Sequence, residues 1–277
     1  MGCLDERGKI FWHEAFYEAL QLEFHQYQDA LEFDNEYRLS EEALRMDVLV
    51  IKKNRDIQIE KNIGRIFKGH NIFEFKSELD SFSLWDYNKV LGYALLYSSF
   101  ERVPMSDITI SIALTIHPRE FFKFVVNECG FTVQDLGNGI YNVEGDIVPV
   151  QVLESKMLSS DSNLFLRNLR SNLSTEDMLK TLQFYKEYKL LDDRNVYLDR
   201  LVRANTHAFR EVLNMSEAVK EIFLESAEKY GWLNDRFNDR LSMEKKHIAK
   251  KLLSLGNSVE KVAEATELPV DTVESLL

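Results

Sequence analysis

The period of the hydrophobic positions changes several times along the chain, and each change marks an element. Residues 10–28, IFWHEAFYEALQLEFHQYQ, repeat at helical spacing, with Phe11, Trp12, Ala15, Phe16, Ala19 and Leu22 on one side of a 3.6-residue wheel. LEFDNEYRL (31–39) and LRMDVLVIKK (44–53) then read as strands joined by polar Ser40, Glu41 and Glu42, and NIFEFKS (71–77) reads as a third. Helical spacing returns in LWDYNKVLGYALLYSSF (84–100), through Trp85, Val90, Tyr93, Ala94 and Tyr97. DITISIALTI (107–116) is rich in β-branched residues and predicts a buried strand stopped by Pro118. A short helix, REFFKFVVNEC, follows. FTVQDLGNGIYNVEG predicts a hairpin turning at Gly137, Asn138 and Gly139, and IVPVQVLES one further strand.

The order is helix, three strands, helix, strand, then a second helix with a small β appendage. A crossover helix between the third and fourth strands predicts that this pair is parallel. The class expected through about residue 153 is α/β, or mixed α+β. KMLSSDSN (156–163), polar and serine-rich, is the expected boundary. Beyond it the pattern is helical, with Ser174 a candidate N-cap. The expected organisation is therefore a core over residues 1–155 and an all-α domain over 156–277.

The end of the chain has three short apolar stripes: Ile248, Leu252 and Leu255; Val259, Val262 and Ala263; Val270, Val273 and Leu276. Helices of this size joined by short turns resemble a helix-turn-helix over about residues 243–277. The would-be reading helix carries Asp271 and Glu274 and no Lys or Arg, which is poor chemistry for a DNA groove. Packing or self-association is the favoured role, and a homo-oligomer formed through the helical domain is one consequence.

The apolar strand 71–77 contains Glu74 and Lys76. Side chains two apart in a strand share a face, so these two stand together while Phe73 and Phe75 face the other way. Charges are seldom buried unless paired or bound. The neighbouring strand delivers another carboxylate, Asp47, among Met46, Val48, Leu49 and Val50. Hard cations such as Mg2+ prefer carboxylate oxygens and keep several waters. A lysine beside such an ion neutralises charge developing on a phosphate. Asp47, Glu74 and Lys76 supply those parts; same-face ion pairing is the bland account of the same residues.

Composition narrows the setting. The chain has 277 residues, 45% of them hydrophobic, enough for a sizeable core. Its two cysteines, Cys3 and Cys129, are too few for a disulfide framework, and no apolar run approaches the roughly 18 residues of a membrane span. The opening MGCLDERGKI has no apolar signal-peptide region, and Glu6 stands where myristoylation wants Ser or Thr. A cytoplasmic protein without membrane partners is expected. The net charge of −12 argues against indiscriminate nucleic-acid binding. Residues 45–76 nevertheless hold eight Lys or Arg against four acids, compatible with a phosphate-bearing ligand.

MDV (46–48) and EFK (74–76), in the order helix–strand–strand–strand–helix–strand, resemble the PD-(D/E)XK nuclease superfamily. WHEAFYEALQLEF, LRMDVLVIKK and NIFEFKSELD look like the bacterial transposase-associated, recombination-promoting nucleases within it. The resemblance covers roughly residues 10–117, with Met46 where the name-giving proline would stand. It implies a restriction-endonuclease-like core and Mg2+- or Mn2+-dependent hydrolysis of DNA phosphodiesters, linked to transposition or recombination. It also implies Asp47 and Glu74 as metal ligands and Lys76 as the catalytic cation. Such folds often add an acid from the first helix; Glu18 is favoured there, Glu23 is the alternative, and Glu14 lies off the apolar face. Lys89 and Tyr93, four apart on the following helix, would hold a substrate phosphate. His13, without a second His or Cys at ligand spacing, reads as a packed helix residue. The competing readings are a catalytically inactive nuclease fold that binds nucleic acid or protein, and a structural protein whose strand charges form ion pairs only.

Overall fold

The computed structural model describes residues 12–34, 49–54, 57–78, 80–187, 196–215, 245–246, 248–254, 257–266 and 268–276. The apolar stripe of the first helical segment, from Trp12 through Leu22, folds as α1 (His13–Glu23) and is buried. The strands are β1 (Leu31–Asp34), β2 (Leu49–Lys53), β3 (His70–Lys76), β4 (Ile108–Leu114), β5 (Thr132–Asp135), β6 (Ile140–Glu144) and β7 (Val150–Glu154). They form one mixed sheet in the order β1-β2-β3-β4-β7-β6-β5. β3 runs parallel to β4, as the crossover through α2 (Leu84–Glu101) requires, and β4 runs parallel to β7 across α3 (Arg119–Asn127). The other neighbours are antiparallel.

One face of the sheet packs Val50, Ile72, Ile110, Ile112, Val150 and Val152 against α2 and α3, through Tyr87, Val90, Ala94, Tyr97, Phe121 and Val125. The opposite face receives α1, whose Phe16 ring lies 6.2 Å from Phe73 and 4.8 Å from Phe75. Both faces of β4 are therefore covered, and all seven of its residues are buried.

Two expectations change here. The hairpin β5–β6 is no appendage: β6 pairs with β7 from Ile140↔Leu153 to Val143↔Val150 and so extends the main sheet. Nor does the chain divide at residues 156–163. Its compact units are Met1–Ser216 and Glu217–Leu277. The helices after the serine-rich stretch are α4 (Leu164–Arg167), α5 (Thr175–Glu187), α6 (Val196–Ala204) and α7 (Thr206–Met215). α4 and α6 pack on α1, so they complete the first unit instead of starting a second. Every regular element after Met157 among the described residues is helical.

The second unit contains a helical stretch over 248–254, then α8 (Val259–Thr266) and α9 (Val270–Glu274). Ala249, Val262, Ala263 and Val273 form its small core, with Leu252 and Leu253 packed against it. Ile248 and Val270 are exposed; at the first the buried stripe is rotated by one residue, to Ala249, and at the second Val273 and Leu276 still face the core.

The turn between β5 and β6 places Gly137, Asn138 and Gly139 at φ 81°, 51° and 74°. A Cβ on Gly139 would also stand 2.6 Å from the Glu154 carbonyl oxygen. Gly139→Ala should therefore destabilise the first unit by about 1–3 kcal/mol in urea unfolding, through both positive φ and backbone collision.

Candidate functional site

β3 ends in a cluster of charges. Glu74 is buried and Lys76 mostly so, both on the α2 face of the sheet; their cross-strand partners are Ile112 and Leu114. Lys76 Nζ lies 3.4 Å from Glu74 Oε1 and 2.9 Å from Asp86 Oδ1. Asp86 sits in the first turn of α2. Its carboxylate accepts from the Ser83 backbone N–H at 2.9 Å and from the Ser83 hydroxyl at 2.6 Å, while the Asp86 N–H donates back to Ser83 Oγ. This is a capping box, and it fixes the start of α2 beside the end of β3.

Burial alone would pull the Lys76 ammonium down, but the Asp86 hydrogen bond and the charges of Glu74 and Asp86 outweigh it and hold its pKa above the ordinary lysine value. Burial pushes Asp86 up, yet hydrogen bonds from Ser83 and Lys76 and the lysine charge leave it below the ordinary aspartate value. At neutral pH Lys76 is a cation and Asp86 an anion. The loop beyond β3 adds Ser77, whose hydroxyl donates to Asp80 at 2.6 Å, and Thr115 after β4, whose hydroxyl donates to the Lys76 carbonyl at 3.4 Å.

Of the residues expected here, Glu74 and Lys76 are together. Asp47 lies outside the described residues. Lys89 is exposed and stacks over the Tyr93 ring, 5.3 Å from its centroid, one turn along α2 from Trp85. Glu18 does not join the cluster: α1 covers the Phe73 and Phe75 side of the sheet, and Glu74 and Lys76 are on the other. Its carboxylate is buried, accepting the Tyr185 hydroxyl at 2.6 Å and the Tyr197 backbone N–H at 2.6 Å. Glu23 is placed likewise, 2.6 Å from Lys61 Nζ and accepting the Leu166 N–H at 2.9 Å. Burial raises its pKa despite the Lys61 charge. Glu14 faces Arg200 at 3.3 Å from the exposed side. Asp86 is the residue that sequence reading missed. Its signal was present in Ser83-x-x-Asp86 ahead of an apolar helix.

Glu74 and Asp86 offer hard carboxylate oxygens, the donor type that Mg2+ takes, but both stand on Lys76. Among the described residues no three His, Cys, Asp or Glu side chains form a metal-sized group. The donor chemistry fits a magnesium-like ion only if Asp47 supplies the further ligand. No described helix is long and apolar enough to cross a membrane. No family model, curated protein or solved structure matches this chain.

Two measurements follow from this geometry. Glu18→Ala should cost about 2–4 kcal/mol of stability, since it strands the Tyr185 hydroxyl and the Tyr197 N–H in a buried site. Asp86→Asn should cost about 1–3 kcal/mol near neutrality. Because folding depresses the Asp86 pKa, its contribution is present above the unfolded value of 3.8 and is lost as pH falls through the folded one. The stability gap between wild type and Asp86→Asn, read by urea unfolding, should be constant from pH 5 to 8 and shrink below about pH 3.8.

Proposed function

We propose that the chain is a nuclease of the PD-(D/E)XK type, acting on DNA phosphodiesters with Mg2+ or Mn2+ from the end of β3. The observation that carries this reading is Glu74–Lys76–Asp86. A carboxylate and an ammonium leave a buried strand on the same face, at the carboxyl end of a parallel pair, beside the first turn of the crossover helix. Ligands of open α/β sheets commonly bind at such strand ends. The element order α1-β1-β2-β3-α2-β4 supports a restriction-endonuclease-like core.

Glu74 and Asp47 would hold the metal, which when bound supplies water activation and neutralises phosphate charge. Lys76 acts as a fixed cation. Its raised pKa makes it a poor proton acceptor at neutral pH, so its contribution is electrostatic: holding the attacking oxygen or the phosphate oxygens in place. Asp86 is a positioning residue that aims the ammonium from a capped helix. Lys89, beside the exposed Trp85, is offered to the substrate backbone. The second unit serves self-association in preference to base reading, because α9 exposes Asp271 and Glu274. Two cysteines in the chain fit a reducing cytoplasm.

A second reading has its own support. Asp86 is already committed to the capping box, so the three charges also make a complete internal anchor of α2 to β3. In that reading the fold binds a partner without cleaving.

Lys76→Met separates the two. The nuclease reading expects Mg2+-dependent cleavage of DNA to fall by about two to three orders of magnitude, with folding kept. Mg2+ or Mn2+ should also raise the wild-type melting temperature, and Asp47→Ala should abolish that rise. The anchor reading expects no cleavage by either protein and a loss of roughly 3–5 kcal/mol in Lys76→Met, because a buried carboxylate loses its cation. Wild type inert towards single- and double-stranded DNA, with an unstable Lys76→Met, would remove the nuclease reading.

A further inference from the structure

A cavity of about 320 Å3 lies on the other face of the sheet, away from Glu74 and Lys76. Its floor is Asn142 of β6 and Gln151 of β7, which are cross-strand partners. One wall is the segment carrying Asn62 and Arg65, the other the β5–β6 turn with Asn138. The cavity is at the small end of ligand pockets, which run from roughly 300 to 1,000 Å3.

The floor and the Arg65 wall are fixed to each other. Gln151 is buried and spends both amide hydrogens, donating to the Ile63 carbonyl at 2.8 Å and to Ser111 Oγ at 2.7 Å. Its Oε1 is left as the acceptor. Gly64 is pressed so closely on the core that a Cβ there would stand 2.5 Å from Ile59 and 2.7 Å from Phe24. Asn62 turns its Oδ1 to the Ile63 N–H at 2.9 Å, which leaves its Nδ2 as a donor. Arg65 ties its Nε to the Glu60 carbonyl at 3.2 Å, which steadies the stem and leaves the terminal nitrogens to donate. The lining contains no carboxylate. The cavity thus combines one guanidinium, several amides and one fixed acceptor on a preorganised frame.

We propose that this cavity binds a small organic anion. Arg65 pairs with its acid group, and Asn62, Asn142 and Gln151 hydrogen-bond its polar body. A guanidinium takes carboxylate and phosphate alike in bidentate fashion, so the shared chemistry is a compact acid bearing further polar groups. The site is separate from the charges at the end of β3 and does not depend on their role.

Calorimetric melting of the full chain, titrated with adenosine monophosphate in one arm and glutarate in the other, tests this. Saturable stabilisation in one arm identifies the acid as phosphate or carboxylate. At about ten times the Kd it should raise the Tm by roughly 3–6 °C. Arg65 is exposed, so Arg65→Gln should fold as wild type and lose the effect, and Asn142→Ala should weaken it. No saturable rise in either arm, or a rise that survives Arg65→Gln, would overturn the proposal.

Discussion

The molecule depends on the alternation of side chains along β3. This strand lies between an antiparallel neighbour and a parallel one, with a helix over each face. Phe73 and Phe75 anchor α1; Ile72 joins the core under α2; Glu74 and Lys76 emerge where that core ends. An ammonium there, with only about a fifth of its side chain exposed, needs partners, since an unpaired charge out of water costs several kcal/mol. Glu74 comes from the strand itself. Asp86 comes from the helix and brings with it the capping box that sets where α2 begins. The placement of Tyr87, Val90 and Ala94 over the sheet follows from that start.

The acids of α1 show the same need met for another purpose. Glu18 and Glu23 have the burial expected of site carboxylates, yet each accepts a backbone N–H within α6 or α4, at Tyr197 and Leu166. A buried carboxylate beside the opening turns of a helix is stabilised by unpaired N–H groups and by the local dipole. These contacts explain why the first unit continues to Ser216. The helices that follow the serine-rich stretch complete the hydrogen bonding of α1, and α1 is also the cover for Phe73 and Phe75.

What could be read in the sequence was what depends on local period. The buried stripe of α1, the β-branched, fully buried β4, the parallel pair enforced by a crossover helix and the shared face of Glu74 and Lys76 all follow from local pattern. What could not be read depends on partners far along the chain. Nothing near Glu18 signals Tyr185, and nothing near the β5–β6 hairpin signals that β6 pairs with β7. Asp86 is the exception: its motif is local, and reading it would have supplied the third member of the cluster. The tail marks a finer limit. Ile248 and Ala249 are neighbours of similar character on a short helix, and only packing against α8 and α9 selects Ala249.

The same period of two that places the charges on β3 places the cavity on β7. Val150 and Val152 join the core under α2 and α3, while Gln151 between them faces the other way and holds Ile63 and Ser111. Asn71, Thr109 and Ser111 also lie on that side, with the Thr109 hydroxyl donating to Asn71 Oδ1 at 2.5 Å and Asn71 fastening the Lys68 backbone. Polar groups buried in a sheet are tolerated when each finds a partner, and here the partners are one another's side chains together with the backbone of Ile51, Ile63 and Lys68. The sheet thus secures the segment around 62–71 with hydrogen bonds where a hydrophobic face would have secured a helix. A slip of one residue in β7 would turn Gln151 into the apolar core and Val152 towards Ile63. Both faces would fail together, so the register of β7 is held by the valines on one side and by the glutamine on the other.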